Sequence, residues 1–246
     1  MVELNNVYKK YKGNTFYSVK DLSFKVEKGC IFGLLGNNGA GKSTTMKLLS
    51  TLYKQDSGSI YISGYDTIKN PSKVKQNLGY LFENPMLYEQ LTGEENIVYY
   101  AKLFKVDKEV VYSRLKNLYE ELHVDFQNQK VNTYSKGMKQ KISFIRSIIT
   151  DPKIILMDEP TGELDIISRN LIRLYTKKLK EQGKTIILTS HIAEDIDLLC
   201  DRVVIMNKGT IFEHDTIKNL KNKYNADSFE NVYISIQDKI EKEGMC

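Results

Sequence analysis

Four short stretches of this chain hold residues whose types and spacing can hold or act on a phosphate. The first is Gly36-Asn37-Asn38-Gly39-Ala40-Gly41-Lys42-Ser43. The apolar run 30–35 before it reads as a buried strand, and residues 44–49 after it read as the first turns of a helix. Strand, glycine-rich loop, Lys-Ser and helix is the order a phosphate-binding loop requires. Glycines let the backbone close around an anion with its N–H groups inward, and the helix N-terminus adds partial positive charge. In such a loop Lys42 reaches the β- and γ-phosphates of a nucleoside triphosphate and the Ser43 hydroxyl ligates Mg²⁺. A plain glycine turn would need neither the full eight-residue pattern nor these flanks.

The second stretch, Met157-Asp158-Glu159, ends an apolar run with adjacent carboxylates. A buried strand reaching solvent can end this way. Beside a phosphate loop, the pair also suits metal-assisted hydrolysis. Mg²⁺ takes hard oxygen ligands and keeps several waters, one of which Asp158 is placed to hold. Glu159, pointing elsewhere, can orient or deprotonate an attacking water. The third stretch, Thr189-Ser190-His191, ends another apolar run. His191 is either structural or a donor to the γ-phosphate, whereas His123 and His214 read as surface residues. In Tyr134-Ser135-Lys136-Gly137-Met138-Lys139-Gln140, Ser135 reads as an ordinary N-cap or as an anion contact backed by free N–H groups.

These stretches need a sheet to bring them together. Residues 2–4, 22–26, 30–35, 59–64, 78–82, 153–157, 185–189 and 203–206 read as strands. Apolar strands alternating with helices near 171–179 and 193–199 imply a mainly parallel sheet covered on both faces. Ligands bind at the carboxyl ends of such strands. Helical periodicity from about 89 to 122, with a Thr92/Glu95 capping box, and a helix from Ser135 to about 149 mark a helical insert at about 84–149. From about 218 the chain turns more polar and reads as a short tail with one helix and a strand.

The 246 residues suit one large α/β domain with an insert, and 41% hydrophobic content supports a sizeable core. No stretch approaches the about 20 apolar residues of a membrane span, and residues 1–6 do not resemble a secretory signal. A cytosolic protein is therefore expected. Cys30, Cys200 and Cys246 fit neither a disulfide framework nor a zinc site. Cys30 and Cys200 are expected in the core, and Cys246 as a free tail thiol. A net charge of +5 with dispersed lysines does not indicate nucleic acid.

In this order the residues resemble the ATP-binding subunit of ABC transporters, over essentially the whole chain. Residues 36–44, ending in Lys42, Ser43 and Thr44, are similar to its Walker A motif. Tyr134-Ser135-Lys136-Gly137-Met138 is similar to its signature, usually Leu-Ser-Gly-Gly-Gln. Residues 154–158 resemble Walker B, followed by the catalytic-type Glu159. Leu164-Asp165 resembles the D-loop, His191 the switch histidine, and Tyr11 the adenine-stacking aromatic. Glu83 stands where the Q-loop has glutamine. It can ligate Mg²⁺ but cannot donate as an amide does. Tyr134, Lys136, Glu163 and Ile166 are further departures from the usual motifs.

The resemblance implies a P-loop NTPase of the α/β class, with a mainly parallel sheet, an antiparallel β subdomain and an inserted helical subdomain. It implies an ATPase domain over 1–220 and a tail over 221–246. ATP and Mg²⁺ are the expected cofactors. Two such subunits, identical or paralogous, would face head to tail, with Ser135 and the Gly137 N–H on the partner's γ-phosphate. Residues 83–88 would meet a membrane-spanning permease, placing the chain at the inner face of the cell membrane. Residues 49–52, 64–66 and 224–233 resemble ATPases of ABC-2-type exporters. The rival expectation is a soluble regulatory or mechanochemical ATPase outside transport. The single cassette without sustained heptads speaks against a mechanochemical role, while the altered Q-loop and D-loop keep a regulatory one open.

Overall fold

The protein is described here by a computed structural model covering residues 1–162 and 164–244. Glu163 and Cys246, singled out above, lie outside the described residues. The chain runs β1 (Val2–Lys9), β2 (Val19–Val26), β3 (Ile31–Leu35), α1 (Lys42–Leu49), β4 (Ser57–Ile62), β5 (Tyr65–Asp66), α2 (Pro71–Gln76) and β6 (Leu78–Leu81). It continues through α3 (Gly93–Leu103), α4 (Lys108–Glu121), α5 (Lys136–Ile148), β7 (Ile154–Asp158), α6 (Ile166–Glu181), β8 (Thr185–Thr189) and α7 (Ala193–Leu199). It closes with β9 (Arg202–Asn207), β10 (Thr210–Thr216), α8 (Ile217–Tyr224) and α9 (Phe229–Gly244).

The main sheet has the order β10-β9-β3-β8-β7-β6 and is parallel except for β10. Its inner strands β3, β7 and β8 are buried at every position, as expected where helices and a second sheet cover both faces. Alternation divides each strand between two cores. Ile31, Leu35, Ile155, Met157, Ile186 and Leu188 join the core with α3 to α9. Phe32, Leu34, Ile154, Leu156 and Ile187 join α1 and the antiparallel sheet β2-β1-β4-β5.

The helical insert folds for local reasons. Thr92 and Glu95 form the expected capping box: the Thr92 hydroxyl accepts from Glu95 N at 3.1 Å, and the Glu95 carboxylate from Thr92 N at 2.8 Å. The helical stretch over 89–122 is two helices, α3 and α4, separated at Lys105, which takes a left-handed φ of 57°. Ile97, Ala101, Val111, Leu115, Leu118 and Leu122 face the core from them.

The tail differs from expectation. It holds α8 and α9, and no strand among the described residues. Helix α8 spans the expected division at 220/221, and Phe229, Val232 and Ile236 of α9 are fully buried in the main core. Their i, i+3, i+7 spacing gives α9 one apolar face; the many charges around it hid that pattern. Among the described residues no helix is long and apolar enough to cross a membrane.

Candidate active site

Strand order determines what meets at the carboxyl edge. Because β8 lies between β3 and β7, Thr189 pairs with Leu34 on one side and with Asp158 on the other. The phosphate loop after β3, the carboxylates after β7 and the histidine after β8 therefore emerge at one level. Leu81 of β6 pairs with Met157, which brings Glu83 to the same edge. A cleft of about 510 Å³ results, lined by Gly36, Asn37, Asn38, Lys42, Glu83, Glu159, Ser190, His191 and Tyr233 among others.

The loop is folded tightly before α1. Ala40 N donates to Asn37 O at 3.0 Å, and Gly209 N, in the turn between β9 and β10, donates to Ala40 O at 3.0 Å. Gly36 and Gly41 have φ of 145° and 106°. A Cβ on Gly36 would strike Met206 O, and one on Gly41 would lie 2.5 Å from Ser18 O. Glycine is required at both for conformation and for space. The Lys42 ammonium donates to Gly36 O at 2.6 Å and to Asn37 O at 3.3 Å. Burial holds its pKa below the ordinary lysine value, against the raising effect of Glu159, Asp158 and Glu83. Ser43 is exposed on the first turn of α1. The Thr44 and Tyr11 hydroxyls lie 3.3 Å apart, so Tyr11 packs over the start of α1.

Asp158 is buried and accepts from the Thr189 hydroxyl at 2.6 Å. Tyr80 also borders it: burial and then the Asp158 charge and hydrogen bond raise the Tyr80 pKa. Glu159 follows with φ of 50°, a left-handed conformation unusual for this residue type. That turn sends its carboxylate into the cleft while Asp158 stays in the sheet edge. The Glu159 carboxylate accepts from His191 N at 3.2 Å and lies 2.7 Å from His191 Nδ1. Burial raises the Glu159 pKa, and the charge and hydrogen bonds of His191 partly counter the shift. A carboxylate so placed and so shifted suits a general base.

A buried network behind the cleft carries no signal in the motif reading. Asp195 is fully buried and accepts from Thr161, from Ser190 at 3.3 Å and from Arg173 Nε at 2.6 Å. Arg173 also pairs with Glu194 at 2.8 Å. The network joins the loop after β7, the loop after β8 and α6. Only the burial of an acid on the first turn of a short helix could have pointed to it.

The helical insert contributes differently. Ser135 is the N-cap of α5, accepting from Met138 N at 3.2 Å. It is exposed, and Gly137 is half-buried. Neither lines the 510 Å³ cleft. A neighbouring cleft of about 610 Å³ connects the two regions through Glu83, Lys136, Lys139, Gln140, Glu159 and His191. Residues 83–88 are pinned from below. Arg146 of α5 donates to Pro85 O and Met86 O, both at 2.7 Å, and Asn96 of α3 exchanges bonds with Tyr88 N and O. Sequence reasoning missed both residues. His123 and His214 are exposed as expected, Cys200 is buried and Cys30 half-buried.

A sequence model of the ABC transporter family matches residues 19–162, more than half of the chain. The chain belongs to the ABC transporter family. The ABC transporter ATP-binding protein NatA of Bacillus subtilis is 35% identical over 239 residues, covering 96% of this chain and 97% of NatA. The linearmycin resistance ATP-binding protein LnrL of the same organism is 36% identical, covering 96% of this chain and 75% of LnrL. A solved ATP-binding subunit of an ABC transporter superposes with TM-score 0.89 at 28% identity, covering 96% of this chain and 99% of that one. The ATP-binding cassette MJ0796, in a dimeric post-hydrolysis state bound to ADP and Pi, gives TM-score 0.82 at 27% identity over 88% of this chain and 99% of that one. This ABC subunit is an ATPase with the P-loop NTPase fold.

Proposed function

We propose that this ABC subunit binds MgATP in the strand-end cleft, hydrolyses it there, and drives an export permease as one of a pair of such subunits. The observation that carries the proposal is the convergence of Lys42, Glu83, Glu159 and His191 on one cleft beside the glycine loop. The loop N–H groups and the first turn of α1 receive the phosphates. Lys42, held by loop carbonyls, turns its charge to the β- and γ-phosphates. Glu159 takes the proton of the attacking water, and His191 orients Glu159 and donates toward the γ-phosphate. Tyr11, beside Thr44, offers a ring to the adenine.

The residues present fit Mg²⁺. The Ser43 hydroxyl and the Asp158 and Glu83 carboxylates are hard oxygen donors, and one or two carboxylates with substrate phosphates are a usual magnesium environment. When bound, the cation neutralises charge that develops on the transferring phosphoryl oxygens.

Ser135 and the Gly137 N–H are assigned to the γ-phosphate on a second subunit, identical or paralogous. The dimeric MJ0796 cassette supports that pairing. The permease is assigned to the face of the pinned 83–88 segment. Met86, Tyr88, Tyr99 and Leu103 are exposed there around a groove of about 190 Å³. Attachment there would hold the chain at the cytoplasmic face of the membrane. The resistance name of LnrL and the exporter-like stretches support export.

Binding of a fluorescent ATP analogue to Lys42→Ala tests the nucleotide assignment. Loss of this charged contact is expected to weaken binding roughly tenfold to a hundredfold; wild-type affinity in the variant would refute it.

A further inference from the structure

The tail helix reaches the phosphate loop. Asn37 Nδ2 donates to Gln237 Oε1 at 2.7 Å, and the Tyr233 hydroxyl donates to Asn37 Oδ1 at 3.3 Å. Both oxygen and nitrogen of the Asn37 amide are thus held by α9, some 200 residues away in sequence. Tyr233 also forms part of the wall of the cleft that contains Lys42, Glu159 and His191. Gln237 Nε2 is buried and has no hydrogen-bond partner among the described residues.

The helix is built to hold this position. Phe229, Val232 and Ile236 are fully buried on the adjoining face, and Tyr233 packs against the same core. Its first residue is tied to α7, because Phe229 N donates to an Asp197 oxygen at 3.3 Å and Asp197 also pairs with Lys221 of α8. Helix α7 begins two residues after His191. The connection therefore runs from the switch-histidine segment through α7 and α9 back to the phosphate loop. All of α9 lies beyond the matched residues 19–162.

We propose that α9 is a latch on the phosphate loop, in which Tyr233 and Gln237 are positioning residues that hold Asn37 and pre-organise the loop for nucleotide. The inference rests on the assignment of this cleft to ATP. Lys42 donates to Asn37 O, so the residue the latch grips also supports the ammonium that turns to the phosphates. A loop already held in its binding shape loses less conformational freedom when the ligand arrives. Release of the latch should therefore weaken binding more than it slows the bound reaction.

The test uses the full chain and MgADP carrying a fluorescent label. Gln237→Met keeps the length of the side chain and removes the acceptor; Asn37→Ala removes the gripped amide. Gln237→Met is expected to bind the labelled nucleotide roughly three- to tenfold more weakly, the range for losing one hydrogen bond. KM for ATP should rise by the same factor with kcat within twofold of wild type. The Asn37→Ala/Gln237→Met double variant should bind no worse than the weaker single variant. Melting temperature checks that α9 stays docked, since Phe229, Val232 and Ile236 are unchanged. Unaltered or tighter binding by Gln237→Met, or strict additivity in the double variant, overturns the latch. Lys42→Ala run beside them separates the two assignments. If wild type fails to bind, the nucleotide cleft is wrong. If wild type binds, Lys42→Ala does not and Gln237→Met matches wild type, the latch alone is wrong.

Discussion

The strand-end cleft and the start of α5 are both assigned to phosphate, yet they are built in opposite ways. The cleft is constrained from within the chain. Its loops leave adjacent buried strands, and a Cβ on Gly41 would lie 2.5 Å from a backbone oxygen. The start of α5 is not. Ser135 makes an ordinary N-cap bond, and among the described residues a Cβ on Gly137 would meet nothing nearer than Leu164 Cδ2 at 3.6 Å. Among the described residues of one subunit, nothing requires glycine there. Under the proposed pairing, the difference has a reason: the cleft is shaped by its own chain, whereas the start of α5 would meet its constraint only in a ligand carried by another subunit.

Changing the support of the cleft should have the largest effect. Asp195→Ala leaves Arg173 paired with Glu194 and takes away the acceptor of the Thr161 and Ser190 hydroxyl protons. Breaking such a buried pair costs about 3–5 kcal/mol, and chemical denaturation should show that loss together with reduced hydrolysis. A value near zero would mean that the two loops hold their places without the network.

Gly41→Ala comes next. A left-handed φ forced on alanine, with the close approach to Ser18 O, should cost about 1–3 kcal/mol and abolish nucleotide binding. Gly137→Ala is the matched control. Its stability should lie within about 0.5 kcal/mol of wild type, while hydrolysis should fall if, as proposed, Gly137 serves the site of a second subunit. A destabilised Gly137→Ala, or a normal Gly41→Ala, would erase the contrast between the regions.

The smallest expected effect is on pH dependence. Glu159 must be ionised to accept a proton, and its pKa is raised mainly by burial. Turnover should therefore fall on the acid side at a higher pH than for an unperturbed glutamate. For stability the sign is the reverse. A raised folded pKa favours folding below the unfolded pKa, and that contribution disappears as pH rises through the folded value. Glu159→Gln should thus gain thermal stability over wild type at neutral pH and lose the advantage in acid. A gain independent of pH would mean that ionisation is not its source.

The sequence made some of this legible and not the rest, for identifiable reasons. The phosphate loop, Asp158, Glu159 and His191 stand in short stretches with local signatures, and the strands that carry them are continuous apolar runs. The Thr92/Glu95 box likewise involves neighbours in sequence. Strand β10 is amphiphilic and irregular, with a register shift between Ile211 and Glu213. Its turn, Lys208-Gly209, has both φ values positive, the geometry of a tight hairpin, and that dipeptide was the available clue. Asp195 with Arg173, Arg146 with the 83–88 loop, and Asn37 with Gln237 are contacts between distant segments. Each depends on strand order or on the docking of a helix, which no single stretch encodes.

The central claim is that two of these clefts are completed by each other around ATP. Equilibrium sedimentation of Glu159→Gln with MgATP tests it most directly, because the variant keeps the cleft and loses the proton acceptor. A dimer that forms with ATP, persists without hydrolysis and disappears when Ser135→Ala is added is the predicted result. A Glu159→Gln protein that stays monomeric with ATP bound, or that still turns ATP over at the wild-type rate, would contradict it.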